Sequence, residues 1–183
     1  MANRKQPATK KKKTPACEVQ AVMSTAVACC RTTASAAEAA RLMWTNDCGI
    51  VPVVDAEGRL KGVITDRDIC IAALMGGKTL AAMPVGEVMS HDIATVQADA
   101  DLAEVHARMR ERRVRRIPVV DAEDRPVGIV SLNDLSLAAA GVRGTEGRAR
   151  QQEVASTLAR VSAHWVPAAA TEGALGAATP ARA

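Results

Sequence analysis

The sequence contains no phenylalanine and no tyrosine, and Trp44 and Trp165 are its only aromatic side chains in 183 residues. Whatever core forms must be built from Val, Ile, Leu, Met and Ala, and the stacking platforms used by single-strand nucleic-acid binders are missing. Long apolar runs are missing too. The first apolar stretch starts after Glu18 and Gln20 and ends at Arg31, short of the roughly 18 to 20 residues that span a bilayer. No uninterrupted apolar segment follows the basic N-terminus, so a secretory signal is not expected. These absences predict a soluble, cytoplasmic chain without membrane insertion.

Cysteine is present without a framework. Cys17, Cys29, Cys30, Cys48 and Cys70 form an odd set with a vicinal pair and no CxxC spacing, which argues against a disulfide scaffold or a zinc site. They read as reduced thiols acting as small buried apolar residues. His91, His106 and His164 are scattered, so no metal is expected. There is also no P-loop, no GxGxxG after a strand and no HExxH, and no nucleophile with a matching base, so the chain reads as a non-enzyme.

The formal charge of +4 belongs to a leader. Arg4, Lys5 and Lys10 to Lys13 carry six positive charges with no acidic residue near them, and the remaining 18 basic residues face 20 acidic ones, a net of −2. Residues 1–16 are expected to be disordered.

The dominant feature is an internal repeat. PVVDAE occurs at 52–57 and again at 118–123, an offset of 66. The same offset pairs Val22-Met23-Ser24 with Val88-Met89-Ser90, Glu38 with Glu104, Met43 with Met109, Gly62 with Gly128, Thr65 with Ser131 and Asp68 with Asp134. The chain is a tandem duplication. The expected divisions are a leader at 1–16, a first unit at 17–78, a second at 79–143, and a final segment at 144–183.

Each copy repeats one order of periods. Ser35 with Glu38, and Asp101 with Glu104, have capping-box spacing before apolar helical stripes. A β-branched run follows, Ile50 to Val54 or Ile117 to Val120, then a polar turn, then Leu60 to Ile64 or Val127 to Val130. A second helix starts at Thr65 or Ser131. A short strand is expected near Ile93 to Val96, with a counterpart near Val27. At roughly 60 residues a unit is marginal alone, so the copies should bury their sheets against each other as one pseudo-twofold domain. Gly141, Gly144 and Gly147 read as a linker before a helix over 151–163, with Val154, Leu158 and Val161 on one face and Trp165 beyond it.

The corner Gly-x-x-Thr/Ser-x-x-Asp, written as GVITDRD at 62–68 and GIVSLND at 128–134, admits two readings. A glycine permits close approach, and a hydroxyl at a helix N-cap beside outward-pointing amides suits an anion, with the Asp available to paired hydroxyls. The same spacing also makes a capping box that satisfies the helix's own amides and binds nothing. Spacing leaves both open.

The two units, each with an apolar residue before PVVD, a turn and then G-h-h-[ST]-x-x-D, resemble the tandem cystathionine-β-synthase (CBS) domain family, whose paired arrangement is called a Bateman module. The resemblance covers about residues 18 to 141. It implies an α/β (α+β) fold of two β-α-β-β-α repeats packed through their sheets, and a regulatory ligand-binding function in which inter-repeat clefts hold adenosine-containing ligands. Carried over by position, Thr65 and Ser131 would contact phosphate and Asp68 and Asp134 would hold ribose hydroxyls. The segments at the two prolines, Ile50, Val51 and Pro52 in one copy and Arg116, Ile117 and Pro118 in the other, would line the adenine. AMP, ADP and ATP are the expected ligands, and S-adenosylmethionine or NAD would use the same carboxylate. Gly49-Ile50 stands where the second copy has Arg115-Arg116, so unequal clefts are expected, with Arg67, Arg115 and Arg116 as further phosphate partners.

With few residues outside the repeats, the expected target is a separate, unidentified protein. CBS pairs commonly associate through helical faces, which here implies a homodimer using Ala34 to Met43 and Leu135 to Ala140. Two other functions compete. One is an oligomerisation scaffold with vestigial clefts. The other is a weak, sequence-blind association with nucleic acid through Lys10 to Lys13.

Overall fold

The computed structural model describes residues 18–163. The leader, Cys17, His164 and Trp165 lie outside the described residues. Within them the duplication becomes two copies of one layout, each a three-stranded sheet with two flanking helices. In the first copy β1 (Cys30–Arg31) runs parallel to β2 (Ile50–Val54), which pairs antiparallel with β3 (Leu60–Thr65). Helix α1 (Ala36–Thr45) connects β1 to β2, α2 (Asp66–Met75) follows β3, and α3 (Val85–Val88) follows α2. In the second, β4 (Val96–Gln97), α4 (Leu102–Arg112), β5 (Arg116–Val120), β6 (Pro126–Ser131) and α5 (Leu132–Ala140) repeat the arrangement. The register matches as well: Ile50 faces Thr65 as Arg116 faces Ser131, and both hairpins shift register before the last residue of the first strand. The fold is mixed α/β, as expected.

Local chemistry sets these elements. Ser35 and Glu38 close a complete capping box, while Asp101 caps Ala103 alone. Both hairpins turn on an aspartate: Asp55 Oδ1 accepts from the amides of Glu57 and Arg59, and Asp121 Oδ1 from those of Glu123 and Arg125. The left-handed turn position is Gly58 in one and Asp124 in the other. The short first strand lies at Cys30–Arg31 rather than near Val27, where the offset from Val96–Gln97 puts it.

The two cores are aliphatic, and neither follows chain order. One joins Cys30, Ala39, Met43, Val51, Val53, Ile64 and Ile69 to Val85 and Met89, and the other joins Val96, Val105, Met109, Ile117, Val119, Val130 and Leu135 to Val19. Each unit is completed by a segment that precedes the other in the alignment of repeats. These segments also extend the sheets: Ser90 exchanges backbone bonds with Val63 at 3.0 and 2.9 Å, and Ser24 with Ile129 at 2.9 and 3.0 Å.

The C-terminal helix differs from expectation. Helix α6 spans Gly144–Ser162, so Gly144 and Gly147 belong to it and not to a linker. Gly144 begins it with a positive φ of 78°. Gly147 is buried where a Cβ would overlap the Val142 carbonyl, so glycine there permits a tight reversal from α5 into α6. The cysteines also divide: Cys30 is buried, Cys29 and Cys48 are half-buried, and Cys70 is exposed on α2, against the expectation that all were core. Burial pushes the Cys30 thiol up to about 11, with the neighbouring Cys29 adding to it.

Candidate functional site

The repeated corner is built identically twice. Thr65 Oγ1 accepts from the Asp68 amide at 3.2 Å, and Asp68 Oδ2 accepts from the Thr65 amide at 2.9 Å and from the Thr65 hydroxyl at 2.7 Å. Ser131 and Asp134 make the same three bonds at 3.2, 2.8 and 2.7 Å. Both corners are therefore complete capping boxes. The hydroxyl proton that would reach a phosphate is already given to the aspartate. Only Oδ2 is engaged in the box, so the cap and a ligand contact at Oδ1 are compatible.

Glycine serves the fold at both corners. A Cβ on Gly62 would lie 2.6 Å from the Ser90 carbonyl and 2.9 Å from Met89 Sδ, and one on Gly128 would overlap Met23. The close approach is to the crossing segment of the other unit, not to a ligand.

What surrounds the corners is unequal. Thr65, Asp66, Arg67 and Asp68 form one wall of a cleft of about 630 Å³, with Gly49 and Ile50 beside them. The facing wall comes from the second unit, with Arg112, Arg113, Arg115, Arg116 and Pro118, and from the connection carrying Asp92 and Ile93. Of the expected residues, this cleft brings together Thr65, Arg67, Asp68, Ile50, Arg115, Arg116 and Pro118. Val51, Pro52 and Ile117 are instead fully buried. Ser131 borders a smaller cleft of about 340 Å³ with Arg115, Arg116 and Asn133, and its remaining wall is Val154 and Leu158 of α6.

The charges of the larger cleft are mixed. Five arginines, 67, 112, 113, 115 and 116, stand against Asp66, Asp68, Asp92 and Glu111. Arg112 is paired with Asp92. Asp66 Oδ2 would lie 3.0 Å, and Arg116 Nη1 3.8 Å, from a Cβ on Gly49, so carboxylate and guanidinium converge over that glycine. Asp66, Asp92, Arg112 and Arg113 were not singled out from the sequence. The dense run ERRVRR at 111–116 was the available signal, but only the fold brings it opposite Thr65, which precedes it by about 50 residues.

A protein-family model for the CBS domain matches residues 19–74 and 85–141. The chain belongs to the CBS domain family. It is 37% identical over 119 residues to CBS domain-containing protein YhcV of Bacillus subtilis, covering 65% of this chain and 83% of that one. Hypoxic response protein 1 of Mycobacterium tuberculosis is 36% identical over 115 residues, with 63% and 80% covered. Among solved structures, the CBS domain pair of protein MJ0100, in complex with 5′-methylthioadenosine and S-adenosyl-L-methionine, superposes with a TM-score of 0.61 at 30% identity, covering 68% of this chain and 96% of that one. Hypoxic Response Protein I with two coordinated zinc ions gives 0.61 at 32% identity, covering 69% and 99%. Among the described residues of this chain, no three His, Cys, Asp or Glu side chains are placed to hold a metal ion. Nor, among them, is any helix long and apolar enough to cross a membrane.

Proposed function

We propose that this CBS pair is a regulatory module that binds an adenosine-containing ligand in the cleft between the Thr65–Asp68 corner and the arginine run of the second unit. The observation that carries the reading is the convergence of two different units on one cleft, one supplying a carboxylate at a helix start and the other a row of guanidinium groups. Asp68 Oδ1 accepts from ribose hydroxyls. The phosphate is held by Arg67, Arg113, Arg115 and Arg116, since the Thr65 hydroxyl is committed to Asp68. Ile50 and Pro118 supply apolar walls for the base. An adenine nucleotide, AMP, ADP or ATP, fits this division better than S-adenosylmethionine, whose sulfonium gains nothing from arginines; NAD is compatible with it. The complex of the MJ0100 pair with two adenosine derivatives, at 30% identity, supports the ligand class.

In this reading the second corner, Ser131 with Asp134, binds more weakly, because its neighbouring cleft is smaller, is walled by Val154 and Leu158 of α6, and shares only Arg115 and Arg116 of the five arginines that line the larger cleft. The module acts in the cytoplasm without catalysis. It reports occupancy by changing how its two units, or two copies of the chain, sit against each other, and a separate protein reads that change. A ligand shifts such an equilibrium only through tighter binding to one arrangement.

The test is thermal unfolding of the full chain with AMP, ADP, ATP, S-adenosylmethionine, 5′-methylthioadenosine and NAD, repeated on Asp68→Asn and Asp134→Asn. A ligand at about 100 times its Kd stabilises by about 2.7 kcal/mol. A nucleotide-specific rise that is lost in Asp68→Asn and kept in Asp134→Asn is expected. No rise with any ligand would transfer both corners to the scaffold reading, which the ligand-free completeness of the two capping boxes already favours as the second choice.

A further inference from the structure

The offset of 66 carries Gly49, Ile50, Thr65, Asp66 and Arg67 of the larger cleft onto Arg115, Arg116, Ser131, Leu132 and Asn133, all of which line the smaller one. The two clefts are therefore one feature written twice, with different facing walls. The larger faces the second unit. The smaller faces Val154 and Leu158 of α6, a 19-residue helix that follows the duplicated region and lies on α4 and α5.

Two contacts tie α6 to the residues of the larger cleft. The first is a buried polar node: Thr157 is fully buried, shares a hydrogen bond with His106 Nδ1 at 2.9 Å and accepts from Arg110 Nη1 at 3.1 Å, while Glu153 pairs with Arg110 at 2.5 Å. His106 and Arg110 belong to α4, whose last residue Arg112 and left-handed C-cap Arg113 (φ 52°) line the larger cleft. The second is a partition. Arg115 and Arg116 line both clefts, and the Arg115 carbonyl accepts from the Leu132 amide at 2.9 Å, which fixes the partition's backbone to the start of α5. Both arginines are exposed, and neither guanidinium has a hydrogen-bond or ion-pair partner among the described residues. An arginine can lay its aliphatic stem along apolar surface or turn its head to an anion. Val154 and Leu158 offer the apolar surface on one side, and a phosphate offers the ion pair on the other.

We propose that docking of α6 and binding of phosphate in the larger cleft oppose each other, with Arg115 and Arg116 as the shared element. The inference rests on the nucleotide reading of the larger cleft and names the regulation of that site. A phosphate in the larger cleft draws both guanidinium groups away from Val154 and Leu158, so the seat of α6 loses one wall and the helix loosens on its remaining hold, the Arg110 node. The ligand-free chain keeps α6 docked, and the loosened helix is the element that a separate protein reads. Linkage makes the effect reciprocal: the factor by which phosphate weakens α6 docking equals the factor by which α6 docking weakens phosphate binding. Adenosine, which has no phosphate, does not engage the partition and leaves α6 as it is.

The test combines titration calorimetry of the full chain with ATP and with adenosine and native-state hydrogen exchange of the Val154, Thr157 and Leu158 amides, for the natural sequence, Thr157→Val and Leu158→Ala. Leu158 is 49% exposed, so its truncation loosens the seat without touching the buried node. ATP is expected to speed exchange at the three amides by about fivefold, the lower end of typical coupling, while adenosine at the same concentration leaves it unchanged. Both variants are expected to bind ATP about fivefold more tightly than the natural chain, the reciprocal of the same coupling. Binding heat with ATP but unchanged or slower α6 exchange overturns the proposal and leaves the nucleotide reading standing. Variants that bind ATP no more tightly do the same, and an equal response of α6 to adenosine overturns it by taking the effect away from the arginines. No heat with ATP removes the nucleotide reading and this inference with it.

Discussion

At single positions, the glycine of the repeated corner separates what the sequence suggests from what the fold requires. Its invariance between copies suggests room for a ligand, but the near neighbours are Ser90 and Met89 at Gly62 and Met23 at Gly128. The distinction was illegible beforehand because the crossing segment comes from the other repeat. The two positions also differ in what must yield. At Gly62 the nearest atom is a backbone carbonyl within a paired bridge, whereas at Gly128 all near atoms belong to a flexible methionine. Gly62→Ala is expected to cost about 1–3 kcal/mol through overpacking, and Gly128→Ala clearly less. Chemical denaturation of both variants checks the order; equal losses would mean that the Val63–Ser90 bridge adjusts as readily as a methionine side chain.

Among the elements, those announced by periodicity and by caps were legible: α1, both hairpins and the starts of α2 and α5 stand where the Ser35, Thr65 and Ser131 patterns put them. Helix α6 was only half legible, because three glycines within seven residues read as a linker. Tertiary packing overrides that preference, since Gly147 is needed against Val142 and the helix is held along its length by α4 and α5.

Its buried polar node makes α6 sensitive to acid. Arg110 donates to Thr157 Oγ1, which also shares a hydrogen bond with His106 Nδ1, and burial, the largest cause, holds the His106 pKa below its ordinary 6.5. The unfolded chain therefore takes up this proton first: the stability due to neutral His106 is fully present above about 6.5 and is lost as pH falls below it. Glu153, held low mainly by its hydrogen bond from Arg110, adds a loss beginning below about 4.5. The melting temperature is expected to fall on acidification in these two windows, and His106→Gln, which keeps a partner for Thr157, should flatten the first. An unaltered profile in that variant would place the titration elsewhere.

For the molecule as a whole, the duplication was readable from PVVDAE and its companions, but the exchange of segments was not. An offset of 66 aligns Val19 with Val85 without saying which core each enters, and the structure sends both across. This crossing couples the units more directly than contact between two finished domains would. Val19 is fully buried among Val105, Met109, Ile117 and Val130, residues far from it in sequence. Burial is worth about 0.8 kcal/mol per methylene-sized group, so Val19→Ala should remove roughly 2 kcal/mol, and it should act first on the second unit. Native-state hydrogen exchange can locate that loss. Protection of the Val119 and Val130 amides is expected to drop while that of Val53 and Ile64 changes less. A drop confined to the residues around Val19 would mean that each unit is stable without its exchanged segment. If instead the loss appears across β5 and β6, the segment is an integral part of the second unit, and a ligand that shifts one unit against the other must also shift the segment each has lent. That is a physical route by which occupancy of a cleft between the units can reach the helical faces on the outside.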